Sequence, residues 1–473
     1  MIPRPRVGYR RSRDAGRTSA LKRILALFAI LAVVALLVPG SAGAHLQLRS
    51  STPARGDTVL TPLHDVRVTF TQRVDLRFTT LTLVDGTGAI IAQGAEPSDS
   101  TLTSFVLKLS APLHRGEYTV RWRTAGADGH VVDGSFGFLV AADPEPEVAA
   151  TTKATTAPPQ PTLPVTESRD RYTSGTWVAT RFLTFASIVL VIGSLAFLVI
   201  LSHAQRTAPI HDDFWATGAQ RTRIVAIIAS ALAFLAAIPR LLLQSAALHG
   251  DRLGLDAAFL ASVLDTAWGR GWLLQVGAAL AFCFAWLLLR PARSAIGWLV
   301  CAGAAIALAV SPGLSGHAAA VTGRPVLPIV LDALHVFGAA AWIGSLAMLL
   351  LVALPLALRS GNHEALAVTV ATFSPVALIG AAIAASTGVA GAFFHIPSFP
   401  ELWSTAYGQA VLFKLLAVLA VMSLGAFNWR RVRPRLGDST GSGTLRVSAT
   451  TEFALAALVL LITAVLVALP TPL

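Results

Sequence analysis

The stretch WVATRFLTFASIVLVIGSLAFLVIL, residues Trp177–Leu201, decides what kind of protein this chain forms. It is almost wholly apolar and contains a single charged side chain, Arg181. About 20 consecutive apolar residues are enough for a helix to cross the hydrocarbon core of a bilayer. The stretch therefore predicts a membrane-spanning helix.

Seven further apolar runs follow the first, which gives eight predicted spans. The seven runs cover approximately 224–248, 271–289, 295–314, 327–354, 368–394, 409–428 and 452–469. The composition is typical of a multi-pass membrane protein, with 54% hydrophobic residues, 13% charged residues and a mean hydropathy of +0.65. We therefore expect an all-α membrane domain of eight helices over residues 171–473, with lipid as its surroundings.

Arginines are distributed unequally over the loops between the runs. Alternate loops are rich in positive charge, namely those with Arg206, Arg221 and Arg223, with Arg290 and Arg293, with Arg359, and with Arg430, Arg431, Arg433, Arg435 and Arg446. The intervening loops have little excess charge. Because cytoplasmic loops are the ones enriched in Lys and Arg, the pattern predicts that both ends of the membrane domain lie on the extracytoplasmic side of the cell membrane.

The N-terminal segment, residues 1–44, is typical of a signal peptide. A basic region precedes the apolar run Ile24–Val38, and Ala42-Gly43-Ala44 is a pattern that signal peptidases accept. The segment Met1–Arg23 contributes eight Lys/Arg and one Asp to the net charge of +12, so the mature chain would be near +5. Membrane topology explains that remainder, and nucleic acid is not an expected partner.

Residues 45–140 are predicted to form an exported all-β domain, a sandwich or small barrel. Hydrophobic and polar residues alternate along short stretches separated by Gly, Pro and Asp-Gly turn signals. The stretches are Val66–Phe70, Leu81–Val84, Phe105–Leu109 and Tyr118–Trp122. Phe70 and Trp122 are expected in the core. Residues 141–170, rich in Pro and Thr, are predicted to be a semi-extended linker.

Two elements of the exported domain could bind Cu(II). Cleavage after Ala44 would expose the α-amine of His45 beside its imidazole, and Asp128-Gly129-His130 places a carboxylate and an imidazole on one turn. Three nitrogens and one oxygen suit tetragonal Cu(II) better than tetrahedral Zn(II) or soft Cu(I). Taken alone, His45 could simply be the residue after the cleavage site, and Asp-Gly could be an ordinary turn.

The exported domain resembles the CopC copper-binding family along its whole length. The matching segments are His45-Leu46, Ser51–Ala54, Val68–Phe70, Gly116–Arg123, Ala127–His130 and Gly134–Phe138. The resemblance implies a cupredoxin-like barrel that holds Cu(II) through His45, Asp128 and His130. The chain differs from those relatives that have a Met-rich Cu(I) site, because Met1, Met348 and Met422 all lie outside the domain.

Ionisable residues in the predicted spans gather near the extracytoplasmic side. They are His317, Asp332, His335, His395 and Lys414. Charged groups inside a membrane are costly and usually functional, and Asp332 and His335 share a helix face. We therefore interpret these residues as a possible transport path. The alternative is helix packing, with Asp332 paired to Lys414 and His335 bonded to a backbone carbonyl.

The membrane domain resembles the CopD copper-transport family. The matching residues are Gly271-Trp272, Gly316–Ala318, Asp332, His335, Trp342–Gly344, Tyr407-Gly408, Lys414, Asn428 and Glu452, the last of which is expected to begin the final helix near the inner face. The resemblance implies a membrane protein that moves copper supplied by a CopC partner. We therefore predict a copper transporter, with uptake favoured over efflux, that acts in copper homeostasis and could meet other extracytoplasmic copper proteins.

A membrane redox protein is the alternative function. Paired helix histidines also ligate b-type haem, and His335 with His317 or His395 could be such a pair. Hydrolytic catalysis is not expected, since Gly-x-Ser-x-Gly, His-Glu-x-x-His and phosphate-binding loops do not occur in the sequence. Cys283 and Cys301 lie in apolar segments and are assigned no role.

Overall fold

The structure is a computed structural model of the 473-residue chain. It describes residues 46–60, 62–126, 129–141, 170–250, 253–289, 291, 294–316, 318, 326–396, 398–436 and 439–469. The predicted signal peptide and almost all of the predicted linker lie outside the described residues. So do three of the candidate site residues, His45, Asp128 and His317.

The N-terminal part is all-β, as predicted. Its strands are β1 (Leu48–Thr52), β2 (Thr58–Val59), β3 (Asp65–Phe70), β4 (Thr80–Asp85), β5 (Ile90–Gly94), β6 (Glu96–Pro97), β7 (Ser104–Lys108), β8 (Gly116–Ala125) and β9 (Val131–Val140). They form a four-stranded sheet in the order β1-β3-β7-β6 and a five-stranded sheet in the order β2-β9-β8-β4-β5. The domain is therefore a sandwich of two sheets.

The longest strands position the predicted metal-binding turn. β8 and β9 pair antiparallel from Gly116 opposite Val140 to Ala125 opposite Val131, and the turn follows at the end of this ladder. Trp122 on β8 packs edge-on against Phe70 on β3, with ring centroids 5.4 Å apart. Both rings are buried, which confirms them as core residues that join the two sheets.

The remainder of the described chain is helical. The helices are α1 (Asp170–Thr173), α2 (Gly175–Thr207), α3 (Asp212–Leu248), α4 (Ala257–Leu264), α5 (Ala267–Phe284), α6 (Ala295–Leu314), α7 (Val326–Ala339), α8 (Ser345–Met348), α9 (Leu354–Ser360), α10 (His363–His395), α11 (Glu401–Ser404), α12 (Ala406–Phe427) and α13 (Ser439–Leu466). Segments of π-helix extend α5 and α12 and connect α7, α8 and α9 into one continuous span.

Eight of these helical segments are long and apolar enough to cross a membrane, which confirms the predicted number. They are Gly175–Thr207, Asp212–Leu248, Ala267–Leu289, Ala295–Leu314, Val326–Ser360, His363–Phe393, Ala406–Arg435 and Gly441–Leu466. The chain is therefore a multi-pass membrane protein. Several segments are longer than predicted, because apolar runs mark only the part in lipid while the helix continues through polar residues.

The expectation for the last helix was wrong. Glu452 was expected to begin it, whereas α13 begins at Ser439 and Glu452 lies well inside it. Arg446, expected in a loop, also lies in α13. Polar residues such as Ser, Thr and Arg do not prevent a helix from forming, so hydropathy alone placed the boundary about three turns too late.

The two ends of the helical region meet on the same side of the bundle. Tyr172 and Trp177 near its start share a buried cluster with Ala468 near its end. The same cluster contains Phe78 and Val131 of the β-domain. An even number of spans places both ends on one side, as expected, and the assignment of that side as extracytoplasmic stays a prediction.

One face of α3 is apolar and exposed. Ile224, Ile228, Leu232 and Leu235 are 45–54% exposed and follow one another at intervals of three or four residues. At 3.6 residues per turn, this spacing forms a single stripe along the helix. A stripe of this length suits contact with lipid acyl chains.

α2 packs closely against the span that contains Asp332 and His335. A Cβ added to Gly344 would lie 2.2 Å from the Val189 carbonyl oxygen and 2.8 Å from Gly193 Cα. Small residues allow membrane helices to approach in this way. This contact therefore fixes the fifth span against the centre of the bundle.

We expect Gly344→Ala to destabilise the protein by about 1–3 kcal/mol, since the added methyl must displace backbone atoms of α2. The measurement is thermal unfolding of the purified chain in detergent. Gly277→Ala is the matched control, because a Cβ at Gly277 has nothing within 4 Å. Equal melting temperatures for the two variants would contradict the close packing.

Candidate metal site

The predicted copper-binding turn closes the β8–β9 hairpin. Gly126 N donates to His130 O at 3.0 Å, and Gly129 N donates to Gly126 O at 2.9 Å. Gly129 has a φ of 74°, the left-handed region that glycine adopts without steric cost. The backbone of the turn is therefore held in one conformation at its described residues.

The turn contacts the helical region directly. Gln244 on α3 donates from Nε2 to Gly129 O at 2.6 Å, and Val131 N donates to the Tyr172 hydroxyl at 3.0 Å. A Cβ added to Gly129 would lie 2.8 Å from Trp268 Cβ. We call Tyr172, Gln244 and Trp268 the seat of the turn; they are only 3–5% exposed.

The His130 ring lies against the seat. Its centroid is 4.3 Å from that of Tyr172, with the rings tilted by 34°. Tyr172 is held in turn by Arg181, whose Nη1 donates to the Tyr172 carbonyl oxygen at 2.9 Å. The Arg181 guanidinium also lies over the rings of Tyr172 and Trp177. Arg181 therefore has a structural contact beneath the turn.

Contacts around the turn enlarge the interface between the β-domain and the helices. Arg77 forms an ion pair with Asp265 at 3.0 Å, and Phe78 packs edge-on against Phe259 with centroids 6.0 Å apart. Arg123 Nη2 donates to Ala247 O. Polar contacts at the rim therefore surround the buried apolar cluster that includes Val131 and Trp268.

The interface ion pair is supported from within the β-domain. Partial burial of the Asp75 carboxyl opposes its ionisation, but hydrogen bonds from Arg77 and the charge of Arg77 outweigh this effect and lower the Asp75 pKa below its ordinary value. Asp75 Oδ2 lies 2.6 Å from Arg77 Nη2. This pairing orients the Arg77 side chain whose other nitrogen reaches Asp265.

Of the three predicted copper ligands, only His130 is described. His45 and Asp128 lie outside the described residues. Among the residues that are described, no group of three or more His, Cys, Asp and Glu side chains is placed to hold a metal ion. The ligand set His45, Asp128 and His130 therefore stays a prediction.

A buried polar chain begins directly beneath the seat. Arg240 lies one turn before Gln244 on α3, and its guanidinium donates to Gln275 Oε1 at 2.5 Å and to Ser315 Oγ. It also lies over the Trp268 ring at 5.3 Å. Arg240 therefore has buried partners and does not extend to the membrane surface.

Asp332 and His335 lie on α7, further into the helical region than Arg240. A Cβ at Gly313 of α6 would lie 3.1 Å from Asp332 Oδ2. His335 Nδ1 lies 2.8 Å from Ala384 O on α10. This is the backbone contact that the packing alternative expected for His335.

Lys414 and His395 complete the described part of the predicted path. Lys414 interacts electrostatically with both Asp332 and His335. The His395 ring lies 6.3 Å from that of Tyr407, and Tyr407 interacts electrostatically with Asp332. Lys414 therefore links Asp332 with His335, whereas His395 is near them only through Tyr407, and His317 lies outside the described residues.

A second polar group surrounds Glu452. Asn428 Nδ2 donates to Glu452 Oε2 at 2.8 Å, and the Trp342 side chain is also hydrogen-bonded to Glu452. These three residues come from three different spans and matched the membrane family in sequence. Their convergence was not predicted, because Glu452 was expected at the start of the last helix, near the inner face.

Family models match three consecutive parts of the chain. The CopC domain matches residues 48–141, the copper resistance protein D-like N-terminal domain matches residues 172–327, and copper resistance protein D matches residues 367–466. Together they cover the β-domain and most of the helical region. The matches follow the order in which the two resemblances occur in the sequence.

Two curated proteins are similar to the chain. The copper transport protein CutJ of Bacillus subtilis is 27% identical over 458 residues, which cover 94% of this chain and 77% of CutJ. Copper resistance protein C of Pseudomonas syringae pv. tomato is 29% identical over 124 residues, which cover 24% of this chain and 94% of that protein. Both are described as copper proteins, so the haem alternative gains no support from them.

Two solved structures match the β-domain. CopC from Methylosinus trichosporium OB3b is 27% identical and covers 22% of this chain and 100% of its own, with a TM-score of 0.20. PcoC, a methionine-rich copper resistance protein from Escherichia coli, is 25% identical and covers 20% of this chain and 98% of its own, with a TM-score of 0.19. Both structures match only the β-domain, whose own strand pairing gives the two-sheet sandwich.

We expect Gly129→Ala to separate the turn from the seat, because the added methyl would collide with Trp268 and crowd Gln244. Gly88→Ala is the matched control: Gly88 has a φ of 88°, and its Cβ would meet nothing within 4 Å. Both variants bear a similar backbone cost of roughly 1–2 kcal/mol. Hydrogen–deuterium exchange near Val131 and Gln244 should accelerate in Gly129→Ala alone, and equal exchange in both variants would contradict the contact.

Proposed function

Because this chain belongs to the CopC and copper resistance protein D families, joined in one polypeptide, we propose that its β-domain captures Cu(II) and delivers it to the helical region for transport across the membrane. Delivery by a domain of the same chain keeps donor and acceptor at an effective concentration of roughly millimolar. The predicted linker, residues 141–170, would provide the tether.

The contact between the turn and the helices supports this proposal most directly. Gly129 and Val131 flank His130, and both form hydrogen bonds to residues of the helical region. A β-domain that only stored copper would have no need to bury its metal-binding turn against a membrane bundle. The arrangement suits a donor that releases its metal at the surface of its acceptor.

The proposed Cu(II) ligands are the α-amine and imidazole of His45, the Asp128 carboxylate and the His130 imidazole. Nitrogen donors with one carboxylate suit tetragonal Cu(II). The chelate of amine and imidazole exists only after cleavage at Ala44, so the proposal also requires export of the domain. We therefore propose that the β-domain lies on the extracytoplasmic side.

Asp332 and His335 are the proposed first acceptors in the membrane. Along α7 they lie about 9 and 14 Å from Val326 at a rise of 1.5 Å per residue. The Ala384 carbonyl can only accept a hydrogen bond, so His335 Nδ1 carries a proton, and in the neutral ring Nε2 keeps its lone pair for a metal ion. Metal-binding histidines are commonly oriented by a contact of this kind.

The remaining path residues surround this pair. Lys414, about 12 Å along α12 from Ala406, places a positive charge near Asp332 and His335 and would balance Asp332 when no metal is bound. His317 and His395 are proposed to line the entrance. Uptake is the favoured direction, because a capture domain raises the copper concentration at the side where it lies.

We expect one residue added before His45 to alter the Cu(II) site, because the new residue removes the α-amine from the chelate. The measurement is the electron paramagnetic resonance spectrum of the processed protein loaded with one Cu(II). His64→Ala and His114→Ala, at exposed positions of the same domain, are controls that should leave the spectrum unchanged. An unchanged spectrum in the extended protein would show that the amine is not a ligand.

We expect the double variant Asp332→Asn/His335→Ala to abolish copper accumulation, since it removes a carboxylate and an imidazole from the path. Its Cu(II) spectrum should stay unchanged. Cellular copper is measured by mass spectrometry at equal amounts of inserted protein. The control is Asp213→Asn/His203→Ala, which makes the same chemical changes at two exposed residues. His203 lies near the end of α2 and Asp213 near the start of α3. Normal copper accumulation in the variant Asp332→Asn/His335→Ala would contradict the proposed path. A lower copper content in cells that contain the native chain than in cells that lack it would contradict uptake.

A further inference from the structure

We propose that Tyr172 and Gln244 are positioning residues that hold the copper-binding turn on the seat, so that copper is handed over in the seated state. This inference rests on the proposed function and deepens it. It assigns the place of transfer to the contact between the turn and the outer ends of α3 and α5.

The hydrogen bonds of the seat hold the backbone on both sides of His130. Gln244 binds the Gly129 carbonyl and Tyr172 binds the Val131 amide. Neither bond uses the His130 imidazole. The seat can therefore fix the position of a metal-binding side chain without competing with the metal for its ring nitrogens.

Burial makes the seated state energetically specific. Gln244 and Tyr172 lie in an apolar surrounding that includes Trp268, Val131 and Leu248. A buried amide or hydroxyl that loses its partner costs about 1–3 kcal/mol. If the turn moved away, Gln244 would lose the Gly129 carbonyl, so the helical region favours the turn in this one place.

The seat itself has little ability to retain copper. Gln244 and Trp268 offer no anionic ligand, and the Tyr172 hydroxyl already accepts the hydrogen of the Val131 amide. The Arg240 guanidinium below them is a donor only. Copper binds to imidazole, amine, thiolate or carboxylate ligands. The metal would therefore stay on the turn until a residue of the bundle replaces its ligands.

A continuous set of buried contacts connects the seat with the proposed acceptors. Gln244 and Arg240 share one face of α3, Arg240 reaches Ser315, and the same segment contains Gly313, which lies against Asp332. Among the described residues, this series of contacts leads from the seat, where the turn is bound, to Asp332. Holding His130 at this point places the metal at the start of that route.

The test measures the distance from Cu(II) on the full chain to a nitroxide label at Ala258→Cys, an exposed position on α4, by pulsed electron paramagnetic resonance. The same chain without Ala258→Cys is labelled in parallel to measure any signal from Cys283 and Cys301. We expect one narrow distance in the otherwise native chain. Gln244→Glu, which removes the donor at constant shape, and Tyr172→Phe, which removes the hydroxyl and keeps the ring, should each lose it.

Gln409→Glu is the matched control. It makes the same change as Gln244→Glu and removes a bond to a backbone carbonyl, that of Trp403, at an exposed position away from the seat. Tyr172→Phe, which adds no charge, controls for the charge that Gln244→Glu buries. It should keep the narrow distance. If Gln244→Glu fails to insert, Tyr172→Phe decides the result alone.

The outcomes separate this inference from the proposed function. A broad distance distribution in the native chain, or a narrow one in both seat variants, would overturn the inference. If the Cu(II) spectrum is normal in that case, capture of copper by the β-domain still stands. Absence of any protein-bound Cu(II) signal from the native chain would instead overturn the proposed function. A narrow distance lost in the seat variants and kept in Gln409→Glu supports the inference.

Discussion

The hydrogen bond from Gln244 to the Gly129 carbonyl is the interaction on which the relation between the two domains depends. Its donor lies within a membrane-spanning segment and its acceptor in a turn of the β-sandwich. A polar amide in an apolar span needs a partner, and here the partner comes from the other domain. The β-domain therefore supplies the hydrogen-bond partner of this buried amide.

The same requirement explains the two polar levels inside the helical region. Asp332, His335 and Lys414 lie towards the β-domain, whereas Glu452 with Asn428 and Trp342 lies further along the bundle. The fifth span contributes to both levels, because α7 carries Asp332 and the π-helical turn after it carries Trp342. A π turn adds a residue and so rotates the part of the helix that follows it. The span can thus direct polar groups to two different neighbours.

Much of the fold could be predicted from the sequence, and the exceptions have physical causes. Strands β3, β4 and β8 show alternating burial because each packs one face on the core, whereas the three central residues of β7 are all buried. Strands β1 and β5 lie at sheet edges and were not predicted. An edge strand pairs with only one neighbouring strand, so its sequence is less constrained to alternate hydrophobic and polar residues. Helix ends were displaced because hydropathy reports lipid contact rather than backbone hydrogen bonding.

The candidate site divides in the same way. The turn around His130 and the helix face of Asp332 and His335 could be predicted, because each is a local pattern. The seat could not, since Gln244 is 115 residues from Gly129 and binds a carbonyl oxygen that every residue possesses. The i, i+4 spacing of Arg240 and Gln244 within an apolar span was the only local signal.

All three residues of the seat belong to the helical region: Tyr172 precedes the first span, and Gln244 and Trp268 lie within later ones. Recognition of the turn therefore does not depend on the covalent connection between the domains. A β-domain made as a separate chain would meet the same hydrogen-bonding groups, and attachment adds proximity rather than selectivity. Since Ala468 lies in the same cluster as Tyr172, a β-domain joined after the last helix would start from the same side. The groups that contact the turn thus lie on one surface of the helical region, close to both of its ends.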